Sequence, residues 1–357
     1  MSISKRILSS AAGILVSFSG VAVAVSYVLA MLATVPSFGT LALLSGPSSR
    51  LADSVAPSLW DRLAQGSGQI LASVNMGPID GVLMVAPRDR QQLQSHFAAL
   101  GYSLAATGAP AGGGNPVPRL YLRSLPQDLA AGDSSMERKQ DFLRVMLPLV
   151  LAGNEKILAD RKRVEKFAGQ VQSGGNLYAV NRAWLVKLAS DYGMDRFDPE
   201  NGDWQELLRR VDAVPVSLAL AQAALESGWG TSRFALQGNA VFGEWSWNPG
   251  SGLIPAGRNA SDDHEVRRFA QLSESVNAYL HNLNSHKLYT NFRLHRAAAQ
   301  ARGDNPSGVA LAKYLEKYSE EGRKYIDDIR GIIESNLLQD MDTARLRPVN
   351  LAGLTSS

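Results

Sequence analysis

Hydrophobic and polar positions change their rhythm three times along this chain of 357 residues. Lys5 and Arg6 precede an uncharged run that begins at Ile7 and meets no further charge until Arg50. Residues 14–32 within it are apolar enough for a bilayer-spanning helix, which needs roughly 20 residues. The basic flank places the N-terminus in the cytoplasm and the remainder outside, so residues 1–34 are expected to be an inner-membrane anchor with the rest in the periplasm or cell-wall space. A cleaved signal peptide, leaving a secreted protein, is the alternative: Ala22-Val23-Ala24 supplies a small-x-small site, although apolar residues continue past it. Residues 35–116 are weakly specified, a small α+β or irregular region. There GVLMVA reads as a strand and PRDRQQLQSHFAALGY as a helix opened by Pro87 and stopped at Gly101. ATGAPAGGGNPVP, residues 106–118, denies both helix and packed strand, and a domain boundary is expected there.

Beyond the linker the rhythm is helical and strand signals are scarce, which predicts a mainly α domain over 117–346 and a flexible tail over 347–357. Phe142, Leu143, Met146, Leu147, Val150 and Leu151 recur at helical spacing, with Ser134 or Ser135 as N-cap and Pro148 as a kink. NLYAVNRAWLVKLASDYG and DWQELLRRV read as shorter helices. Pro215 suits the first turn of PVSLALAQAALESG, a segment so apolar that it is expected to be the central buried helix. EVRRFA reads as a strand, and ESVNAYLHNLNSHKLYTNFR as a supporting helix.

A hydrophobic content of 45% can build an ordinary core, and a formal charge of only +3 leaves no cationic surface suited to nucleic acid. The absence of cysteine excludes a disulfide framework, a thiolate zinc site and a cysteine nucleophile. The histidines at 96, 264, 281, 286 and 295 form no HExxH-type pair, so neither a metal nor a cofactor is expected.

The chemistry concentrates in AALESGWGTSRFALQGNAVFGEWSW. Gly228 can adopt the left-handed conformation that stops a helix, which puts Glu226 in the last turn of the apolar one. The negative end of the helix dipole and partial burial beside Trp229 both favour a protonated carboxyl, as a general acid requires. The plainer reading is an exposed glutamate tied to Arg233.

The residues around Glu226 decide between these readings. Ala221-Gln222-Ala223, Glu226-Ser227-Gly228-Trp229-Gly230-Thr231-Ser232 and Asn239-x-x-Phe242-Gly243 resemble the glucosaminidase domain of bacterial autolysins and flagellar peptidoglycan hydrolases, and in particular the Bax-type branch of glycoside hydrolase family seventy-three. The resemblance covers about residues 117–338. It implies a lysozyme-like α fold with a small β-hairpin lobe beside a cleft, and an endo-acting N-acetylglucosaminidase cleaving peptidoglycan glycan strands. By the same resemblance Glu226 is the catalytic acid, while Asn239, Phe242 and Gly243 shape the cleft floor. In YSEEGRKYIDDI, Tyr318 takes the place of the cleft tyrosine and Tyr325 that of its packing neighbour. Trp229 is expected to be mostly structural, with Trp245 or Trp247 stacking on sugar rings.

The second acid departs from the family pattern, because GSGLIPAGRNAS holds no carboxylate where many relatives have one. Candidates are Glu265, Glu244, Asp262 and Asp263, with Glu265 favoured over Glu244. Retaining, inverting and substrate-assisted routes all stay open. So do two other functional classes, a lytic transglycosylase-like enzyme and an inactive peptidoglycan-binding scaffold.

Overall fold

A computed structural model describes residues 83–104, 116–131, 134–246, 250, 252–254 and 265–348. Strand β1 (Leu83–Val85) leads to helix α1 (Arg90–Ala99), whose first turn is capped by the Asp89 carboxylate accepting from the Gln92 amide. Strand β2 (Leu120–Leu122) precedes the long helix α2 (Ser135–Gln172), and then come α3 (Ala179–Asp191), α4 (Trp204–Arg210), α5 (Val216–Ser227) and α6 (Arg233–Gly238). Strands β3 (Trp245–Ser246), β4 (Gly252–Leu253) and β5 (Glu265–Arg267) are followed by α7 (Leu272–Ser285), α8 (Thr290–Ala301), α9 (Gly308–Ala312) and α10 (Arg323–Ser335). The architecture is mainly helical, with a three-stranded antiparallel lobe in the order β3-β5-β4.

Helix α5 is the centre of the core, as its composition predicts. All of its residues except Leu225 and Glu226 are buried, and it packs against α2, α9 and α10. Its N-terminal end is fastened by Asp342, whose two oxygens accept from the Ser217 amide and hydroxyl, both at 2.8 Å. An anionic cap at the positive end of the helix dipole is favourable. Upstream, Asn154 of α2 exchanges two hydrogen bonds with the backbone of Val214. The fully buried Arg296 of α8 reaches the Asp212 carboxylate at 3.4 Å and donates to the carbonyls of Arg209 and Ala213. These buried polar side chains satisfy a loop that no strand or helix could pair, which is why it can enter the core.

Two expectations change in the structure. Helix α2 begins at the Ser134 cap and continues past Pro148, which sits buried inside it. The boundary expected at residue 116 is crossed: β1 pairs in parallel with β2, matching Leu83 to Leu120, and Leu93 and Phe97 of α1 belong to the same hydrophobic core as α2 and α5. Arg90 reinforces the join by contacting Asp141 at 2.7 Å and Glu137 at 3.0 Å. Past residue 346 the chain is still held, since Arg347 donates to the carbonyls of Leu100 and Pro116. Among the described residues no helix is long and apolar enough to cross a membrane, and residues 14–32 lie outside them.

Gly230 offers a direct check on this packing. Its φ of +79° is left-handed, and a Cβ there would lie 2.7 Å from Phe142 Cδ2, 2.9 Å from Leu129 Cδ2 and 3.0 Å from Leu125 Cδ1. Gly230→Ala is therefore expected to destabilise the domain by about 2 kcal/mol through overpacking, lowering the thermal midpoint by roughly 4–8 °C. An unchanged or raised midpoint in a melting experiment would contradict the packing described.

Candidate active site

The segment Glu226-Ser227-Gly228-Trp229-Gly230-Thr231-Ser232 is a helix stop built from successive left-handed residues. Gly228, Trp229 and Gly230 have φ of 57°, 60° and 79°. A tryptophan at positive φ is strained and persists only where its surroundings hold it. Ser227 does part of that holding, because its hydroxyl donates to the Ala223 carbonyl at 2.6 Å and accepts from the Gly230 amide at 2.8 Å. Thr231 donates to the Gly228 carbonyl, and Ser232 then caps α6 by accepting from the Ala235 amide. The Trp229 ring lies edge-on to Phe142 at 6.1 Å, with the Lys139 ammonium 4.8 Å from its centre.

This turn leaves Glu226 half-buried at the end of α5. Burial pushes its carboxyl pKa above the usual range, Tyr325 pulls it partly back by donating a hydrogen bond, and the charge of Glu321 adds a further upward push. Tyr325 Oη donates to Glu226 Oε1 at 2.8 Å, while Glu226 Oε2 lies on the side of Gly243, 3.8 Å from where a side chain there would begin. Arg233, the partner of the plainer reading, donates instead to the Ile254 carbonyl.

Tyrosines surround the acid. Tyr318 and Tyr325 stack with ring centres 5.6 Å apart, and Tyr318 also approaches Tyr289 at 6.1 Å and Tyr279 at 6.5 Å. Burial raises the pKa of all four, so each remains a neutral hydroxyl. Tyr325 touches Glu226, and Tyr318 packs on Tyr325 with its hydroxyl 3.5 Å from the Phe242 carbonyl. Phe242 is buried and stacks on Tyr279 at 4.0 Å. Asn239, also buried and left-handed at φ 51°, ties the end of α6 to the Phe269 carbonyl.

The carboxylates expected to help Glu226 are placed unequally. Glu265 is buried, and its two oxygens accept from the amides of Gly250 at 2.9 Å and Gly252 at 2.7 Å. It clamps the β4 side of the lobe. Glu244 follows Gly243 directly, sits 3.4 Å from Arg267, and is pushed up to about 7 by burial, with Arg267 opposing. Trp245 is exposed on β3, paired in register with Val266. Trp247, Asp262 and Asp263 lie outside the described residues. Sequence reasoning missed Gln222 as a site residue. A polar residue in so apolar a run, with Glu226 four residues later on the same helix, was the available signal, and the structure buries it completely.

A half-buried acid with a raised pKa, backed by tyrosines and flanked by a small β lobe, has the properties a general acid needs. The comparisons with known proteins agree. The glucosaminidase family model, described as mannosyl-glycoprotein endo-beta-N-acetylglucosaminidase, matches residues 202–338. The protein bax of Escherichia coli (strain K12) is 34% identical over 221 residues, covering 60% of this chain and 74% of that protein. No solved structure gives a significant match. The class is therefore that of a glycoside hydrolase with a glucosaminidase domain. Within it, the chain belongs to the Bax-type branch of glycoside hydrolase family seventy-three.

Glu244 supplies a pH test of the lobe. Its pKa is raised from 4.5 to about 7 on folding, so its contribution to stability is complete below pH 4.5 and is lost as the pH rises through about 7. Glu244→Gln, which cannot ionise, is expected to melt with the wild type at pH 4 and above it at pH 8. Equal melting temperatures at both pH values would refute a buried, reluctant carboxyl at this position.

Proposed function

We propose that this protein is an exported peptidoglycan hydrolase, an endo-β-N-acetylglucosaminidase with a lysozyme-like cleft, in which Glu226 protonates the glycosidic oxygen. The observation that carries this reading is the state of Glu226. Its carboxyl is half-buried, raised in pKa, and held by a neutral phenol rather than by a basic side chain among the described residues. A structural glutamate at a helix C-terminus would gain from a cation, whereas a general acid needs its proton retained near neutral pH. Trp245, exposed on β3, is a flat surface of the kind that stacks on a pyranose ring. Export is supported by the basic flank and long apolar run before Arg50, which would attach the enzyme to the inner membrane facing its polymer.

For the second half of the reaction we favour substrate assistance. Glu265 has both oxygens engaged by backbone amides, and Glu244, titrating at about 7, is only partly ionised at neutral pH. The 2-acetamido oxygen of the substrate can attack the anomeric carbon in place of a protein carboxylate, a recognised departure from the two-carboxylate scheme. The proton moves from Glu226 to the leaving oxygen, the acetamido oxygen closes a five-membered ring, and water opens it.

The test is to incubate the protein and Glu226→Gln with purified sacculi and identify the released sugar ends by mass. The expected product is a new reducing N-acetylglucosamine end that has taken up water, with Glu226→Gln slower by about 10²–10⁴-fold. Anhydro-sugar ends would assign the protein to the lytic transglycosylases. Wall binding without release would make it a scaffold, and equal product from both forms would overturn the role of Glu226.

A further inference from the structure

Glu226 has two carboxyl oxygens and one proton to give, and a buried chain of hydrogen bonds distinguishes between them. Tyr279 Oη donates to Gln222 Oε1 at 2.7 Å, Gln222 Nε2 donates to Tyr325 Oη at 2.7 Å, and Tyr325 Oη donates to Glu226 Oε1 at 2.8 Å. Tyr279 and Gln222 are each 0% exposed, so water does not substitute for any of these partners. The chain draws on three separate helices, with Gln222 and Glu226 from α5, Tyr279 from α7 and Tyr325 from α10.

Proton counting gives this chain a direction. A phenol has one proton to donate, and an amide offers an acceptor on one side and donors on the other. The Tyr279 proton goes to Gln222 Oε1, which turns the amide nitrogen toward Tyr325. Tyr325 oxygen is then an acceptor, and its own proton is directed at Glu226 Oε1. An oxygen receiving that proton does not also carry one toward the same phenol. The carbonyl oxygen of a carboxylic acid is the better acceptor, so the hydrogen bond from Tyr325 favours the acid proton on Oε2, the oxygen facing Gly243. The opposite amide orientation would leave the Tyr279 hydroxyl proton without an acceptor inside the core, and would make Tyr325 accept the Glu226 proton instead of donating. An amide is oriented by its partners, and here Tyr279 is the partner that decides.

We propose that Tyr279 and Gln222 are positioning residues that set the polarity of this chain and so keep the Glu226 proton on Oε2, on the Gly243 side, ready for the bridging oxygen of the substrate. Only the last clause rests on the glucosaminidase reading. In the transfer, the Oε2 proton passes to the bridging oxygen, and the electron pair of the broken carbon–oxygen bond stays with that oxygen. The charge left on Glu226 is met by the Tyr325 proton on Oε1, which never leaves the phenol. The other ionisable groups facing the carboxyl are Tyr289, Tyr318 and Glu321, and none is part of the chain.

The test is a carbon-13 carboxyl titration of Glu226 in the full chain, assigned by its loss in Glu226→Gln, comparing wild type with Tyr279→Phe and Gln222→Glu. Tyr279→Phe keeps the ring that stacks on Phe242 and frees the amide to turn. The Glu226 midpoint is expected to rise by about half a unit to one unit, because its ionised form loses a dedicated donor. On soluble glycan fragments kcat is expected to fall about tenfold, with KM held within about twofold. Gln222→Glu, while protonated, supplies the same acceptor and donor, so its activity is expected to approach wild type at acid pH and to collapse as residue 222 ionises. A Glu226 midpoint identical in the wild type and in whichever variants fold overturns the proposal, as does a folded Gln222→Glu that shows no acid-side recovery. The titration needs no substrate: a midpoint shifted between wild type and variants, in a protein that cleaves no glycan, would leave the hydrogen-bond chain standing and remove the functional reading.

Discussion

Everything at this site follows from ending a buried helix on a carboxyl. Helix α5 is enclosed by α2, α9 and α10, so its last turn emerges with little water around it, and the negative end of its dipole meets the Glu226 side chain. Desolvation and dipole both oppose ionisation, and the hydrogen bond from Tyr325 offsets only part of this. The stop itself is strained, with three left-handed residues in a row, one of them Trp229. Ser227 and the packing of Gly230 against Phe142 hold the strained turn closed.

The opposite end of α5 is secured by different means. Asp342 caps its first amides, and a loop carrying Asp212 and Val214 is stitched by Asn154, Asn284 and Arg296. A buried arginine is costly to desolvate, and Arg296 is correspondingly lowered to about 10. It is tolerated because carbonyls and Asp212 surround its guanidinium. Arg293 follows the same logic at the end of α7, donating to the carbonyls of Leu283 and His286. Held by these hydrogen bonds at its first turn and by the packing around it, α5 has a fixed position along its axis, and that position sets where the Glu226 carboxyl stands.

Much of this was legible in the residues. Ser134 as a cap, Gly228 as a stop, and the apolar run before Glu226 are local signals with local physical causes, and they appear where expected. What local patterns did not announce was long-range. Within YSEEGRKYIDDI, Gly322 at φ 56° breaks the backbone, so α10 begins at Arg323 and carries Tyr325 to Glu226, a contact that no spacing along the chain gives away. Period-two alternation in β5 left two faces open to Glu265, and only the fold shows Gly250 and Gly252 turning their amides onto it. The strand read in GVLMVA is present as β1, but its pairing with β2 across a glycine- and proline-rich linker is a long-range contact that no local pattern announces. Buried arginines escape a search for apolar periodicity altogether.

The proposed reaction would ask little of the hairpin lobe beyond shape and a stacking surface. The acid, its donor and the groups that orient the donor all come from helices packed around α5. The most direct test is a crystal structure of Glu226→Gln with an uncleaved N-acetylglucosamine-containing glycan bound. The scissile bridging oxygen is expected within about 3 Å of residue 226, on the Gly243 side and opposite Tyr325. A glycan seated elsewhere, or one whose bridging oxygen meets Tyr325 rather than residue 226, would contradict it.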